Sequence, residues 1–134
     1  MNIIKIMWKS IILMLLVALS LNYCSKNLPK GSDLKSFDRN EWLSSDADSL
    51  DQKHNTQKQY MLVDLVENYL PKKTGTEIQY LLGPSLDNSY FSETERDLIY
   101  WIGPERGQMR IDSEWLLIWL DDSGVYKACE IRTD

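Results

Sequence analysis

The sequence predicts an α+β fold, ααβββ, in which a pair of helices packs on a three-stranded antiparallel meander. Apolar residues recur with a helical period over residues 57–71, and a second helix with strong capping signals follows. Beyond Asp97 the pattern changes to runs rich in β-branched and aromatic residues. We therefore assign residues 57–134 to one folded domain, residues 1–23 to a signal segment and residues 24–56 to a flexible polar tether.

The first helix is predicted in the segment QKQYMLVDLVENYLP. Apolar residues at i, i+3, i+4 and i+7 share one face of an amphipathic helix, and here they are Leu62, Leu65, Val66 and Tyr69. Pro71 ends the helix because proline lacks the backbone N–H and clashes with the preceding turn.

The second helix is predicted in KKTGTEIQYLLGPS. Thr74 and Glu77 have the spacing of a capping box, in which each side chain accepts a hydrogen bond from the other residue's backbone N–H. Gly83 is predicted to form a left-handed C-cap, and Pro84 cannot continue the helix. The buried face comprises Ile78, Leu81 and Leu82.

Three strands are predicted over residues 97–103, 113–122 and 124–133. A tight hairpin turn over 121–124 joins the last two, with Gly124 free to adopt a positive φ. Both faces of the first two strands are apolar, and two short helices can cover only one of them. The other face must be covered by the tether, by a second copy of the chain or by a partner. Alternatively, the aromatic residues of the sheet simply fill a small core. Candidate partner-binding residues are Tyr100, Trp101, Arg106, Arg110, Trp115 and Trp119.

The N-terminal segment has the organisation of a secretory signal. Lys5 and Lys9 precede an apolar region over about residues 10–22, which is short for a membrane span. If a lipoprotein signal peptidase cuts before Cys24, the Cys24 thiol receives a lipid. A cut after Ser20 gives a soluble secreted protein, and a third possibility is a retained signal anchor. Tyr23 is bulkier than the residue usual before a lipidated cysteine.

Cys129 is most simply a buried apolar residue of the third strand. Its pairing with Cys24 would require the tether to fold back, and lipidation of Cys24 would prevent that pairing. Two cysteines do not make a disulfide framework.

The charge and the motifs exclude several functional classes. Residues 24–134 carry 13 basic and 20 acidic side chains, a net charge of −7, which disfavours binding to nucleic acid. The single histidine, His54, lies in a polar stretch, and no metal or nucleotide motif occurs. We therefore expect no enzyme activity, no cofactor and no metal site.

The end of the second helix and the hairpin carry a resemblance to a known family. Glu77, the Leu81-Leu82 pair, Gly83 and Pro84, together with the turn at residues 121–124, resemble the SmpA/OmlA (BamE-like) envelope lipoproteins. The wider fold is similar to that of β-lactamase inhibitor proteins. The resemblance implies a non-catalytic bacterial lipoprotein on the periplasmic or outer face of a membrane, binding an unknown protein in outer-membrane assembly or maintenance. The alternatives are a soluble periplasmic or secreted enzyme inhibitor and a signal-anchored membrane protein.

Overall fold

The computed structural model describes residues 2–86, 88–107 and 109–134; within its first helix, the side chains of residues 16–23 and 25 are not described. The α-helices are α1 (Asn2–Lys26), α2 (Arg39–Trp42), α3 (Gln57–Tyr60), α4 (Leu62–Asp64) and α5 (Gly75–Leu82). A π-helical turn spans Leu65–Tyr69 and a 3-10 turn spans Ser92–Thr94. The strands are β1 (Leu98–Pro104), β2 (Ser113–Leu120) and β3 (Tyr126–Thr133).

The predicted α+β class and the antiparallel three-stranded sheet are confirmed. The strand order is β1-β2-β3, with Leu98 opposite Ile118 and Ile118 opposite Cys129. The hairpin turn is also as predicted, because Gly124 has φ 77° and its N–H donates to the carbonyl of Asp121 at 2.9 Å. One sheet face packs against the helices, so the main core lies between the helical layer and the sheet.

The first predicted helix is divided into α3, α4 and the π-helical turn, with Met61 interrupting it. Its start is a capping box of Thr56 and Gln59. Gln59 then packs over Gly103, where a β-bulge lies and where an added Cβ would come within 2.5 Å of the glutamine side chain. A residue with a side chain at position 103 would therefore displace Gln59.

The second predicted helix, α5, begins at the predicted capping box of Thr74 and Glu77. At its end Gly83 has φ 88° but ψ 178°, so the positive φ is confirmed and the left-handed helical cap is wrong. The reason is Pro84, because a residue that precedes proline is driven out of helical conformations into an extended ψ.

Residues 27–56 pack on the helical layer, and the expected flexible tether is not confirmed. Trp42 is only 1% exposed, and its indole Nε1 donates to the carbonyl of Leu82 at 3.1 Å. The ring of Phe37 lies 4.7 Å from that of Tyr69, and the backbone N–H of Phe37 donates to the Asp64 carboxylate at 2.7 Å. Two buried aromatic side chains fix a segment whose composition is otherwise polar.

Residues 85–86 and 88–97 cover part of the second face of the sheet. The N–H of Leu86 donates to the carbonyl of Ile99 at 3.1 Å, which caps the outer edge of β1. The ring of Tyr90 lies 5.1 Å from that of Trp115. A second, smaller apolar cluster forms there, with Ile99, Trp115 and Leu117 at its centre and Phe91, Trp101 and Trp119 packed around them.

Helix α1 contacts β3 and the π-helical turn, and Cys24 in its last turn is bonded to Cys129 of β3. Along residues 2–15 every side chain is exposed, including those of Ile3, Trp8 and Met14. In the part of the chain that the structure describes, no helix is long and apolar enough to cross a membrane. The predicted apolar region at residues 10–22 falls partly outside the described side chains.

Candidate functional site

An open groove lies where the segment after α1 meets the loop before α3. Its volume is about 510 Å³, and it is lined by Leu34, Lys35, Asp51, Gln52, Lys53, Gln57 and Tyr60. Leu34 is 68% exposed, so the groove offers an apolar surface beside two amines, a carboxylate and a phenol. This combination suits a ligand that has both apolar and charged groups.

Asp51 organises the wall of the groove. Its Oδ1 accepts from the backbone N–H groups of Lys53 and Asn55 at 2.8 and 3.0 Å, and its Oδ2 accepts from the Tyr60 hydroxyl at 2.5 Å. The Tyr60 bond lowers the pKa of Asp51 because it stabilises the carboxylate. The same bond raises the pKa of Tyr60, since its hydroxyl must keep its proton to donate. The Asp51 carboxylate thus links the Tyr60 hydroxyl of α3 to the backbone of the loop before it.

Three cations lie in or beside the groove: Lys35 and Lys53 line it, and Arg110 lies next to it. Lys35 pairs with Glu41, and its Nζ donates to Gln57 at 2.9 Å. Arg110, in the β1–β2 connection, donates from its guanidinium to the carbonyl of Lys53 at 2.5 Å. The same connection carries Met109 and Ile111, each 74% exposed. Apolar and cationic side chains therefore adjoin on this corner of the molecule.

A buried ion pair fixes the β1–β2 connection near the groove. The Arg106 guanidinium donates to both carboxylate oxygens of Glu114, from Nε at 3.0 and 3.1 Å and from a terminal nitrogen at 2.8 Å. Its other terminal nitrogen donates to Ser32 Oγ at 3.1 Å and to the carbonyl of Gln59 at 3.3 Å. One side chain thus ties the sheet to α3 and to the segment that follows α1.

Comparison of the chain with protein-family models, with curated proteins and with solved structures found no match.

The three candidate tryptophans share the second face of the sheet, where Trp101 lies opposite Trp115. Trp115 is buried and donates from Nε1 to Asp134 at 3.2 Å. Trp119 is half-buried and donates to the carbonyl of Thr94 at 2.9 Å. These tryptophans pack against residues 88–97, and their role in partner binding stays a prediction.

The other candidates lie elsewhere. Tyr100 points to the opposite face, where it is buried and its hydroxyl donates to the carbonyl of Gly83 at 2.9 Å. Arg106 is engaged in the ion pair with Glu114. Arg110 is exposed and lies beside the groove. The structure therefore does not bring the six predicted residues into one patch.

Cys24 and Cys129 form a disulfide between the last turn of α1 and the middle of β3, with their Cα atoms 5.6 Å apart. The interpretation of Cys129 as a simple apolar residue is corrected, because the C-terminal end of α1 itself reaches β3. A sulfur bonded to another cysteine cannot also carry a thioether-linked lipid. Lipidation of Cys24 and this disulfide are therefore alternative states, and lipidation stays a prediction.

Five of the seven groove residues lie in the segment that was expected to be a tether, and Gln57 and Tyr60 lie in α3; sequence reasoning did not single out any of them. Two signals were present: Asp38 caps α2, three residues before Glu41, and Thr56 forms a capping box with Gln59. Within the described residues, no three histidine, cysteine or acidic side chains could hold a metal ion.

Proposed function

We propose that this protein is a non-catalytic module of the bacterial cell envelope that is held at a membrane by its N-terminal segment and binds a protein partner. The observation that carries this proposal is the disulfide between Cys24 and Cys129, formed in the last turn of a helix whose apolar side chains between residues 3 and 15 are exposed. Disulfides persist in oxidising compartments outside the cytoplasm. The apolar residues of α1 are favoured in lipid and unfavourable in water.

The disulfide favours retention of α1 over lipidation. A helix kept as an anchor leaves both cysteine thiols available for pairing, whereas lipid attachment at Cys24 consumes one. Lys5 and Lys9 precede the apolar run, as expected for a segment whose N-terminus stays on the cytoplasmic side. The folded domain then lies on the opposite, oxidising side.

The mass of the intact mature protein tests this proposal. We expect a chain with α1 present, lighter by two hydrogen atoms than the same chain after reduction. A lipid on Cys24 together with a free Cys129 thiol would overturn the anchor and restore the lipoprotein implied by the SmpA/OmlA resemblance.

The groove supports the binding of a protein. Leu34 offers an apolar contact, and Lys53 and Arg110 offer cations to carboxylates of a partner. We expect Lys53→Glu to abolish co-purification of a partner that the wild type retains. The matched control is Lys127→Glu, which changes another exposed lysine, on β3. An equal loss of co-purified partner in both variants would show that the groove is not the binding site.

A second candidate is a soluble periplasmic or secreted inhibitor. A cut after Ser20 removes the apolar run but leaves Cys24, so the disulfide to Cys129 is compatible with this form too. A mature chain that begins at Leu21 and stays in solution would favour the inhibitor over the anchored module.

A further inference from the structure

Strand β3 forms one edge of the sheet, and its outer side is open. In the described part of the chain, the backbone of residues 127–133 bonds to the backbone of β2 and to that of no other segment. The opposite edge differs, because the N–H of Ile99 in β1 donates to Ser85 Oγ at 2.9 Å and its carbonyl accepts from Leu86. An open edge offers backbone donors and acceptors to a further strand.

The hydrogen-bond alternation identifies the residues of β3 that present these groups. The N–H of Asp134 donates to the carbonyl of Ser113 at 3.4 Å, one position beyond the register that pairs β2 with β3. Hydrogen-bonded and non-hydrogen-bonded pairs alternate along an antiparallel ladder. Cys129, Ile131 and Thr133 therefore direct their N–H and C=O groups away from β2.

Helix α1 leaves this edge accessible. Its Cys24 is bonded to Cys129, whose side chain belongs to the main core, so α1 ends above the helical face of the sheet and not in the plane of the strands. A cavity of about 250 Å³ lies beside the strand, lined by Cys24, Asn27, Cys129, Glu130 and Ile131.

The charged residues of β3 are complementary to those of a second, antiparallel β3. Glu130 and Arg132 lie on the second face of the sheet, where they are half-exposed and pair with each other at 3.1 Å. A two-fold axis perpendicular to the sheet at Ile131 places each Glu130 directly opposite Arg132 of the other copy. Axes at residue 130 or 132 place like charges opposite each other, which destabilises a strand pair.

The same axis also matches the backbone groups. It sets Ile131 opposite its own copy and Cys129 opposite Thr133 of the other copy. These are the residues whose N–H and C=O groups face outward, so each pair can exchange two hydrogen bonds. Glu130 and Arg132 then occupy non-hydrogen-bonded pairs, in which opposite side chains are closest.

We infer that β3 binds the β3 strand of a second copy of this chain, antiparallel and centred on Ile131, so that the two sheets join into one. This contact is separate from the groove and does not depend on attachment of α1 to a membrane.

Charge reversal with mixing of chains tests the inference. Sedimentation equilibrium of the full-length oxidised chain in detergent micelles measures the dimer Kd. Glu130→Arg leaves two cations on the edge and Arg132→Glu leaves two anions, so each variant opposes like charges across the axis. We expect each variant alone to raise the Kd about tenfold or more.

An equimolar mixture of the two variants restores opposite charges between chains but not within either chain. We expect it to form a heterodimer with a Kd close to that of the wild type, which also shows that both variants are folded. The matched control is Lys127→Glu, an exposed change on the same strand outside the paired residues, and it should dimerise as the wild type does.

A wild-type chain that stays monomeric would overturn the inference. So would a dimer that neither reversal weakens, because it would associate through another surface such as α1. A mixture that does not recover, or a control that weakens the dimer equally, would overturn the register centred on Ile131.

Discussion

Arg106 and Glu114 form a buried bidentate ion pair, with side-chain exposures of 9% and 2%. Both partners belong to the β1–β2 region, and the arginine also contacts Ser32 and Gln59. The pair therefore joins the sheet to two segments that are distant in sequence, and residues of both segments line the groove.

Glu114→Gln should lower the free energy of unfolding by about 3–5 kcal/mol, because it leaves a buried guanidinium without its counter-charge. Chemical denaturation at neutral pH measures this change. The matched control is Glu130→Gln, which breaks a half-exposed pair with Arg132. We expect that control to cost less than about 1 kcal/mol. Similar losses in both variants would contradict the structural role of the buried pair.

The disulfide should contribute about 2–5 kcal/mol to the free energy of unfolding, because it closes a long loop between cysteines 105 residues apart. Denaturation of the oxidised chain and of the chain kept in a reductant measures the difference. The control is the Cys24→Ser/Cys129→Ser variant, whose stability should match the reduced wild type and should not respond to the reductant. A reductant effect in that variant would assign the loss to another cause.

Two buried tyrosines provide a matched comparison of a paired and an unpaired hydroxyl. The Tyr100 hydroxyl donates to Gly83, whereas the Tyr126 hydroxyl has no hydrogen-bond partner among the described residues. We expect Tyr100→Phe to lower the free energy of unfolding by about 1 kcal/mol and Tyr126→Phe to leave it unchanged or raise it. Thermal and chemical denaturation of both variants would show this order, and the reverse order would contradict the hydrogen-bond assignment.

The same tyrosines predict a loss of stability at alkaline pH. Burial raises the pKa of Tyr126 to about 12 and also raises the pKa of Tyr100. In the unfolded chain tyrosine loses its proton near pH 10, so above that pH the unfolded state binds fewer protons than the folded state. The free energy of unfolding should therefore fall as pH rises from about 10 towards 12. Tyr126→Phe should reduce this slope in denaturation curves measured across that range, and an unchanged slope would remove Tyr126 as a cause.

The sequence predicted those parts of the fold that depend on local chemistry. The capping box of Thr74 and Glu77 and the turn at residues 121–124 were found because their signals lie within four residues. The three strands were found because runs of β-branched and aromatic residues are distinctive at strand length.

What the sequence did not predict depends on contacts between distant residues. The pairing of Cys24 with Cys129 requires contact between the end of α1 and β3, and no local sequence pattern predicts that contact. The groove was missed because Phe37 and Trp42 are too few to mark a core by composition. Their contribution to stability can be recognised only from the residues that they pack against and bind, as for Trp42, which donates to the carbonyl of Leu82.

The two capping boxes should differ in the stability that they provide. Thr74 is half-buried, and its side chain accepts from the N–H of Glu77 in α5. Thr56 is fully buried, and its hydroxyl also donates to the carbonyl of Ile102 in β1. We expect Thr74→Ala to lower the free energy of unfolding by about 1 kcal/mol and Thr56→Ala by about 2–3 kcal/mol, because the second change also leaves a buried carbonyl unsatisfied.

Thr56→Ser keeps the hydroxyl, and in chemical denaturation it should retain most of the stability that Thr56→Ala loses. A Thr56→Ser variant as unstable as Thr56→Ala would show that the methyl group, and not the hydrogen bond to β1, provides the stability.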